Sequence, residues 1–285
     1  MRRRALRVLL CAVLGLLACG AAVRAQAAAP QRIVTLAPHL AELVCAAGAC
    51  ERLVGVSVYS DYPQAVRSLP QVGDATTVSL ETVLRLKPDL VLAWSGGTSP
   101  ETIARLRGLG LRVEPLAVRG LGDVAEALTR LGTLLGTGAQ AGAAAQAYRE
   151  HLQRLRRRWE HARPVRVVYQ IETAPAYTVN GHSPISEAIA LCGGVNVFAA
   201  LPQLGAPVSA EAMLAAAPQA VLYGREEDPQ AIAGYWSRLP AVPAVRAGNL
   251  FAVDPDLLAR AAPRLLDGVE QVCEDLERAR TRLPD

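Results

Sequence analysis

Glu81 and Glu211 recur at one position of a repeated pattern, and they are the most specific charged pair in the chain. Residues 78–92 align without gaps on residues 208–222, matching Val78 with Val208, Ser79 with Ser209, Leu84 with Leu214, Pro88 with Pro218, Val91 with Val221 and Leu92 with Leu222. Each copy reads as a serine-capped helix, a proline stop and a buried strand. Each also puts its glutamate in the first helical turn, where exposed N–H groups favour a negative charge by about 0.3–1 kcal/mol. The cap, the stop and the strand belong to a common α/β idiom. That idiom does not require a glutamate at the same place twice.

Other reactive side chains are few. Cys45, Cys50, Cys192 and Cys273 lie beyond the N-terminal leader, which itself holds Cys11 and Cys19. None has C-x-x-C spacing, which argues against a zinc knuckle or a thioredoxin-type centre, and four exported cysteines admit three disulfide connectivities. Cys45 and Cys50 flank Gly48 as a local pair, although their loop is short for closure. Four histidines, with His151 and His161 on an arginine-rich segment, are too few for a zinc or manganese carrier. Asp256 and Arg260 are four apart, a spacing that serves an ion pair on one helix face as well as a ligand contact. No nucleophile elbow, P-loop or dinucleotide fingerprint is present, and Gly96-Gly97 and Gly193-Gly194 are isolated turns. Neither catalysis, nor an intrinsic cofactor, nor a metal site is expected.

The elements that must position these residues follow from periodicity. Arg2, Arg3, Arg4 and Arg7, the apolar run 8–18 and Ala25-Gln26-Ala27 make a secretory signal over 1–27. Leu16-Leu17-Ala18-Cys19 also resembles a lipobox, so a lipid anchor on Cys19 is a competing outcome. The chain carries 30 basic and 26 acidic residues, and removing the five arginines before position 28 leaves 25 against 26, a net of −1. The basicity therefore belongs to the leader and is no argument for nucleic acid. From position 32, short apolar strands alternate with capped helices, which predicts βαβ units and a mainly parallel sheet. Residues 139–161 break the alternation as one long helix, rich in alanine and then arginine, whose Arg154, Arg156, Arg157 and Arg158 read as a solvated face. The expected fold is α/β, with two Rossmann-like lobes at 28–137 and 163–285 and a connecting helix at 138–162.

Several segments resemble the periplasmic vitamin B12-binding proteins, members of the helical-backbone group of ABC substrate-binding proteins. They are Arg32-Ile-Val-Thr-Leu-Ala-Pro-His-Leu-Ala-Glu42, Gly55-Val-Ser-Val-Tyr-Ser-Asp-Tyr-Pro63, Leu80-Glu-Thr-Val-Leu-Arg-Leu-Lys-Pro-Asp-Leu90 and Ala93-Trp94. Val179-Asn180-Gly181, Leu191-Cys-Gly-Gly194, Val208-Ser-Ala-Glu211 and Arg260-Ala-Ala-Pro-Arg264 extend the resemblance over essentially the whole mature chain.

The resemblance implies a monomeric carrier that delivers a corrinoid such as cobalamin to an ABC transporter permease dimer from the periplasm. It implies that Glu81 and Glu211 dock, one per lobe, into arginine pockets of the permease. It implies a ligand cleft between the lobes, places Tyr59, Tyr62, Trp94, Asp256 and Arg260 at the ligand, with Tyr177 as a further candidate, and pairs Cys192 with Cys273. A broad apolar disc with amide arms suits an aromatic wall with a few polar groups. Haem- and siderophore-binding relatives share several of these motifs. Haem would call on axial ligands such as His39, Tyr59, Tyr177 or His182. One departure stands out: B12-binding relatives can carry a tryptophan just before the Val-Ser-x-Glu motif, where this chain has Leu204-Gly205-Ala206-Pro207.

Overall fold

The computed structural model describes residues 28–74 and 77–284, so the leader expected over 1–27, and Cys19 with it, lies outside the described residues. The first lobe runs β1 (Ile33–Thr35), α1 (Pro38–Ala46), β2 (Leu53–Gly55), α2 (Leu80–Arg85), β3 (Leu90–Trp94), α3 (Pro100–Gly108), β4 (Val113–Leu116) and α4 (Asp123–Leu135). The helix α5 (Gly138–Trp159) then crosses to the second lobe. That lobe comprises β5 (Val165–Thr173), β6 (Ala176–Val179), α6 (Pro184–Leu191), β7 (Gly194–Asn196), β8 (Gly205–Pro207), α7 (Ala210–Ala216) and β9 (Ala220–Gly224). It closes with α8 (Pro229–Ser237), α9 (Pro243–Ala247), β10 (Leu250–Val253), α10 (Pro255–Leu258) and α11 (Leu265–Arg282).

The first sheet has the order β2-β1-β3-β4 and is parallel throughout. The second is mixed. β10, β9, β5 and β7 run parallel, while β6 and β8 extend the same sheet antiparallel. The alternation of strands and helices did not reveal this edge. Only Ala174 and Pro175 separate β5 from β6, far too few for a crossover helix, so the two pair as a hairpin.

Local chemistry sets the element boundaries. Ser79, Ser99, Ser183 and Ser209 each accept a hydrogen bond from a backbone N–H of the turn they start. Proline occupies the first helical position of α1, α3 and α6, where its missing N–H leaves no bond unmade. The repeat is thus visible in three dimensions: Ser79 takes the N–H of Thr82 at 3.3 Å and Ser209 that of Ala212 at 3.2 Å.

A single apolar core passes from one lobe to the other. It includes Ile33, Leu40 and Leu131, then Ala141, Ala145, Tyr148, Leu152 and Leu155 of α5, then Val165, Ile189, Val269 and Leu276. The alanine-rich half of α5 lies close on α4, where a Cβ on Gly132 would come within 2.5 Å of the Ala141 methyl. Its arginines at 154, 156, 157 and 158 face solvent. At about 1.5 Å per residue this helix is roughly 33 Å long, and it is a packed part of both lobes rather than a free tether. Two disulfides join Cys45 to Cys50 and Cys192 to Cys273, the latter bolting the end of α6 to the middle of α11.

Candidate functional site

Both lobes direct the segments that follow their strands into one crevice, the usual ligand position of open α/β sheets. Ala37, Pro38 and His39 arrive after β1, Trp94, Ser95 and Gly96 at the end of β3, and Val118 and Arg119 after β4. The facing wall is made by the start of α6 from His182 to Ile185, by Leu204, and by residues 258–261 after α10. Two adjoining cavities of about 360 and 200 Å³ result, sharing Trp94, Val118, Pro184 and Leu204. Their lining is chiefly apolar, with polar groups at the edges. This is the make-up of a site that holds a largely hydrophobic ligand and orients it through few polar contacts.

Trp94 is half-buried at the last position of β3, and Gly96-Gly97 explains its placement. A Cβ on Gly97 would stand 2.0 Å from the indole, and one on Gly96 2.8 Å from its Nε1. Only a side-chain-free turn lets the ring fold back over it. Thr98 holds the turn by accepting the Trp94 N–H at 3.1 Å. His39 meets the indole edge-on, with centroids 5.4 Å apart.

At one end of the crevice a charged cluster crosses between the lobes. Arg260 reaches Asp61 at 2.5 Å, Asp256 at 2.7 Å and Glu42 at 3.6 Å. Arg264 donates twice to Glu42, at 3.0 and 2.7 Å, and its guanidinium lies 3.8 Å above the Tyr62 ring. Burial works against the Asp61 carboxylate, but the Arg260 hydrogen bond and charge outweigh it and hold that group below its usual range. His39 is pushed down to about 4, first by burial and then by the charge of Arg260, so its imidazole is neutral near pH 7. Elsewhere along the seam Glu187 of α6 accepts the Leu121 N–H at 2.7 Å, a second tie between the lobes.

The residues singled out from sequence distribute unevenly. Trp94 and Arg260 line the cavities. Asp256 pairs with Arg260. Tyr62 instead borders a neighbouring hollow with Glu42 and Arg264. Tyr59 is 77% exposed at a left-handed φ of 63° and lines neither cavity. Tyr177 is half-buried on β6 opposite Pro207 of β8, and also lines neither. Leu204, the aliphatic replacement noted in the sequence, is 59% exposed and forms part of both cavity walls. Sequence reasoning offered His39 and His182 as haem axial ligands, with a cap or a place on the cleft wall as the plainer reading of His39, and missed Val118, Arg119 and Pro184. Their common signal is position, one to three residues beyond a predicted strand or at a helix start.

Glu81 and Glu211 stand on α2 and α7, away from these cavities. The Glu81 side chain is 90% exposed, 3.9 Å from Arg85. Glu211 is fully exposed, and its own N–H and Ser209 hold its carboxyl below the ordinary glutamate range. Among the described residues no group of three or more histidine, cysteine, aspartate or glutamate side chains is placed to hold a metal ion, and no helix is long and apolar enough to cross a membrane.

The profile of the family described as periplasmic binding protein matches residues 33–257. The chain is 37% identical over 249 residues to the vitamin B12-binding protein of Vibrio cholerae serotype O1, covering 87% of this chain and 89% of that one. It is 36% identical over 270 residues to the vitamin B12-binding protein of Pectobacterium carotovorum, covering 94% of each. Among solved structures it is similar to the periplasmic vitamin B12-binding protein BtuF of Vibrio cholerae, with a TM-score of 0.81 at 36% identity over 88% of this chain and 98% of that one. It is also similar to a periplasmic heme-binding protein from Pseudomonas aeruginosa, with a TM-score of 0.75 at 30% identity over 86% and 91%. These relatives are binding proteins.

Proposed function

The chain belongs to the periplasmic binding protein family, and from that membership we propose that it is the substrate-binding component of an ABC importer, carrying a corrinoid such as cobalamin through the periplasm. The observation that carries this reading is the crevice itself. Trp94 offers a flat aromatic surface on one lobe and Leu204 an aliphatic one on the other, while Arg260, His39 and Ser183 supply polar groups around them. A macrocycle with amide arms matches that distribution. In this reading Tyr59 and Tyr62 flank the mouth, Asp256 steadies Arg260, and the ligand leaves unchanged.

Together the two cavities are small for a corrinoid, so binding requires the walls to part or the disc to ride at the mouth. The shared core through α5 favours a small movement. Glu81 and Glu211, on equivalent turns of the two lobes, serve as the docking charges for the permease dimer. Lobes of 28–137 and 163–285 joined through 138–162 fit this scheme, and the protein acts as a monomer exported by its leader.

Calorimetric titration of the mature protein with cyanocobalamin, alongside hemin, tests the cargo. One-to-one, sub-micromolar binding of the corrinoid alone supports the reading. Binding of hemin alone moves the cargo to haem, for which the similarity to heme-binding proteins gives independent reason.

A further inference from the structure

The turns that carry Glu81 and Glu211 are built alike down to their braces, and each exposes a leucine beside its glutamate. In lobe one the Arg32 N–H donates to the Asp89 carboxylate at 3.0 Å, and the Arg32 carbonyl accepts the Asp89 N–H at 2.9 Å. The same guanidinium donates to the Leu86 carbonyl at 2.7 Å, where α2 ends. Arg166 repeats this in lobe two. Its N–H donates to the Gln219 side chain at 2.9 Å, its carbonyl accepts the Gln219 N–H at 2.7 Å, and its guanidinium holds the Ala216 carbonyl where α7 ends. Lys87 and Ala217 then both take a left-handed φ, 47° and 42°. That conformation is uncommon outside glycine, so its recurrence at matched positions gives the two turns one backbone shape.

The braces fix what each turn shows to solvent. Val83 and Met213 are fully buried. On the outer face Leu84 stands three residues from Glu81 and is 40% exposed, while Leu214 stands three residues from Glu211 and is 41% exposed. A single exposed leucine is ordinary. Here an apolar side chain and an exposed carboxylate lie one turn apart on a braced helix, and the arrangement occurs once in each lobe.

We infer that Leu84 and Leu214 are the apolar anchors of the docking surface, each entering an apolar recess beside a cation on one half of a two-fold partner. The inference rests on the reading that Glu81 and Glu211 dock on a permease dimer, and adds to it two residues and a second driving force. Two equal presentations fit a partner that offers the same recess twice, as a symmetric dimer does. The exposed carboxylates call for a cationic rim, and the leucines for a floor from which water is expelled. The two forces answer differently to salt: surface charge pairing is screened as ionic strength rises, whereas apolar burial is not. The glutamates steer the encounter and the leucines hold it.

The test measures the protein needed for half-maximal ATPase stimulation in proteoliposomes holding the cognate permease, at about 0.1 M and about 0.5 M NaCl. Leu84→Ala and Leu214→Ala should each need about three- to tenfold more protein, by the same factor at both salts. Leu84→Met/Leu214→Met keeps the apolar area and should stay within about twofold of wild type. Glu81→Gln/Glu211→Gln should show a loss that shrinks at the higher salt. Should an alanine variant not fold, Leu84→Gln and Leu214→Gln, which keep the bulk and lose the apolar character, decide on the same terms. Alanine variants that stimulate as the wild type does, while the glutamate variants fail, overturn the inference and leave the docking reading intact. Wild-type stimulation by both sets overturns that reading, and the inference with it. A loss confined to one lobe overturns the two-fold partner. Dimerisation of the wild-type chain in sedimentation equilibrium, lost in the alanine variants, overturns the inference in favour of a second copy of this chain.

Discussion

Glu42 in α1 and Arg264 at the foot of α11 form a two-bond ion pair that joins the lobes, with the Glu42 side chain only 2% exposed. Arg260 adds a third contact to the same carboxylate at 3.6 Å. A buried carboxylate is tolerable only while its cations remain in place. Arg264→Ala therefore leaves Glu42 inadequately compensated, and the expected loss is about 3–5 kcal/mol in urea unfolding. The change should also loosen the lobes, seen as a larger radius of gyration by small-angle scattering. An unchanged unfolding midpoint would show the clasp to be incidental.

Gly97 seats the Trp94 indole. Gly97→Ala puts a methyl where the ring now lies, so the ring must leave its place on the cleft wall. Stability should fall by about 1–3 kcal/mol, and cyanocobalamin affinity by about three- to tenfold as the stacking surface is lost. Gly108→Ala is the control, since a Cβ there meets nothing within 4 Å. Tryptophan fluorescence should report the ring movement in the first variant only.

The two disulfides close loops of very different length, 81 residues for Cys192–Cys273 and 5 for Cys45–Cys50. Chain entropy assigns about 4.5 kcal/mol to the first and about 2 kcal/mol to the second. The Cys192→Ala/Cys273→Ala protein should accordingly unfold at markedly lower guanidinium than Cys45→Ala/Cys50→Ala. The reverse order would contradict this assignment.

Stability should depend on pH through His39. Its folded value of about 4 lies below 6.5, so between those values the unfolded chain binds more protons than the folded one. The contribution is complete above pH 6.5 and is lost as pH falls toward 4, a change on the order of 3 kcal/mol. His39→Gln should flatten the stability profile in that window relative to wild type.

The proposed docking through Glu81 and Glu211 predicts a separation of two activities. Glu81→Gln and Glu211→Gln should bind cyanocobalamin as the wild type does. In proteoliposomes holding the cognate permease, each should need about tenfold more protein for half-maximal ATPase stimulation. Full stimulation by the double variant would remove these glutamates from the interface.

The sequence by itself determined the local grammar and, through it, the architecture. Serine caps, proline stops and short apolar runs marked α2 and β3, and again α7 and β9, because each signal is satisfied within one helical turn or one strand. The gapless repeat exposed the two lobes, and the unbroken alanine-arginine segment exposed α5. Tertiary structure alone decided the rest. That β6 and β8 run antiparallel depends on which edges meet, and a two-residue turn is easily mistaken for an interruption. That Glu42, an unremarked residue of an apolar helix, answers Arg264 from 222 positions away is visible only when the lobes are packed. Trp94 could be assigned to the cleft from its place at a strand end, but the reason Gly96-Gly97 follows it is steric. The lowered pKa of His39 is likewise a property of its surroundings. Sequence records which groups a chain carries, whereas desolvation and pairing depend on what every other segment brings to the same place.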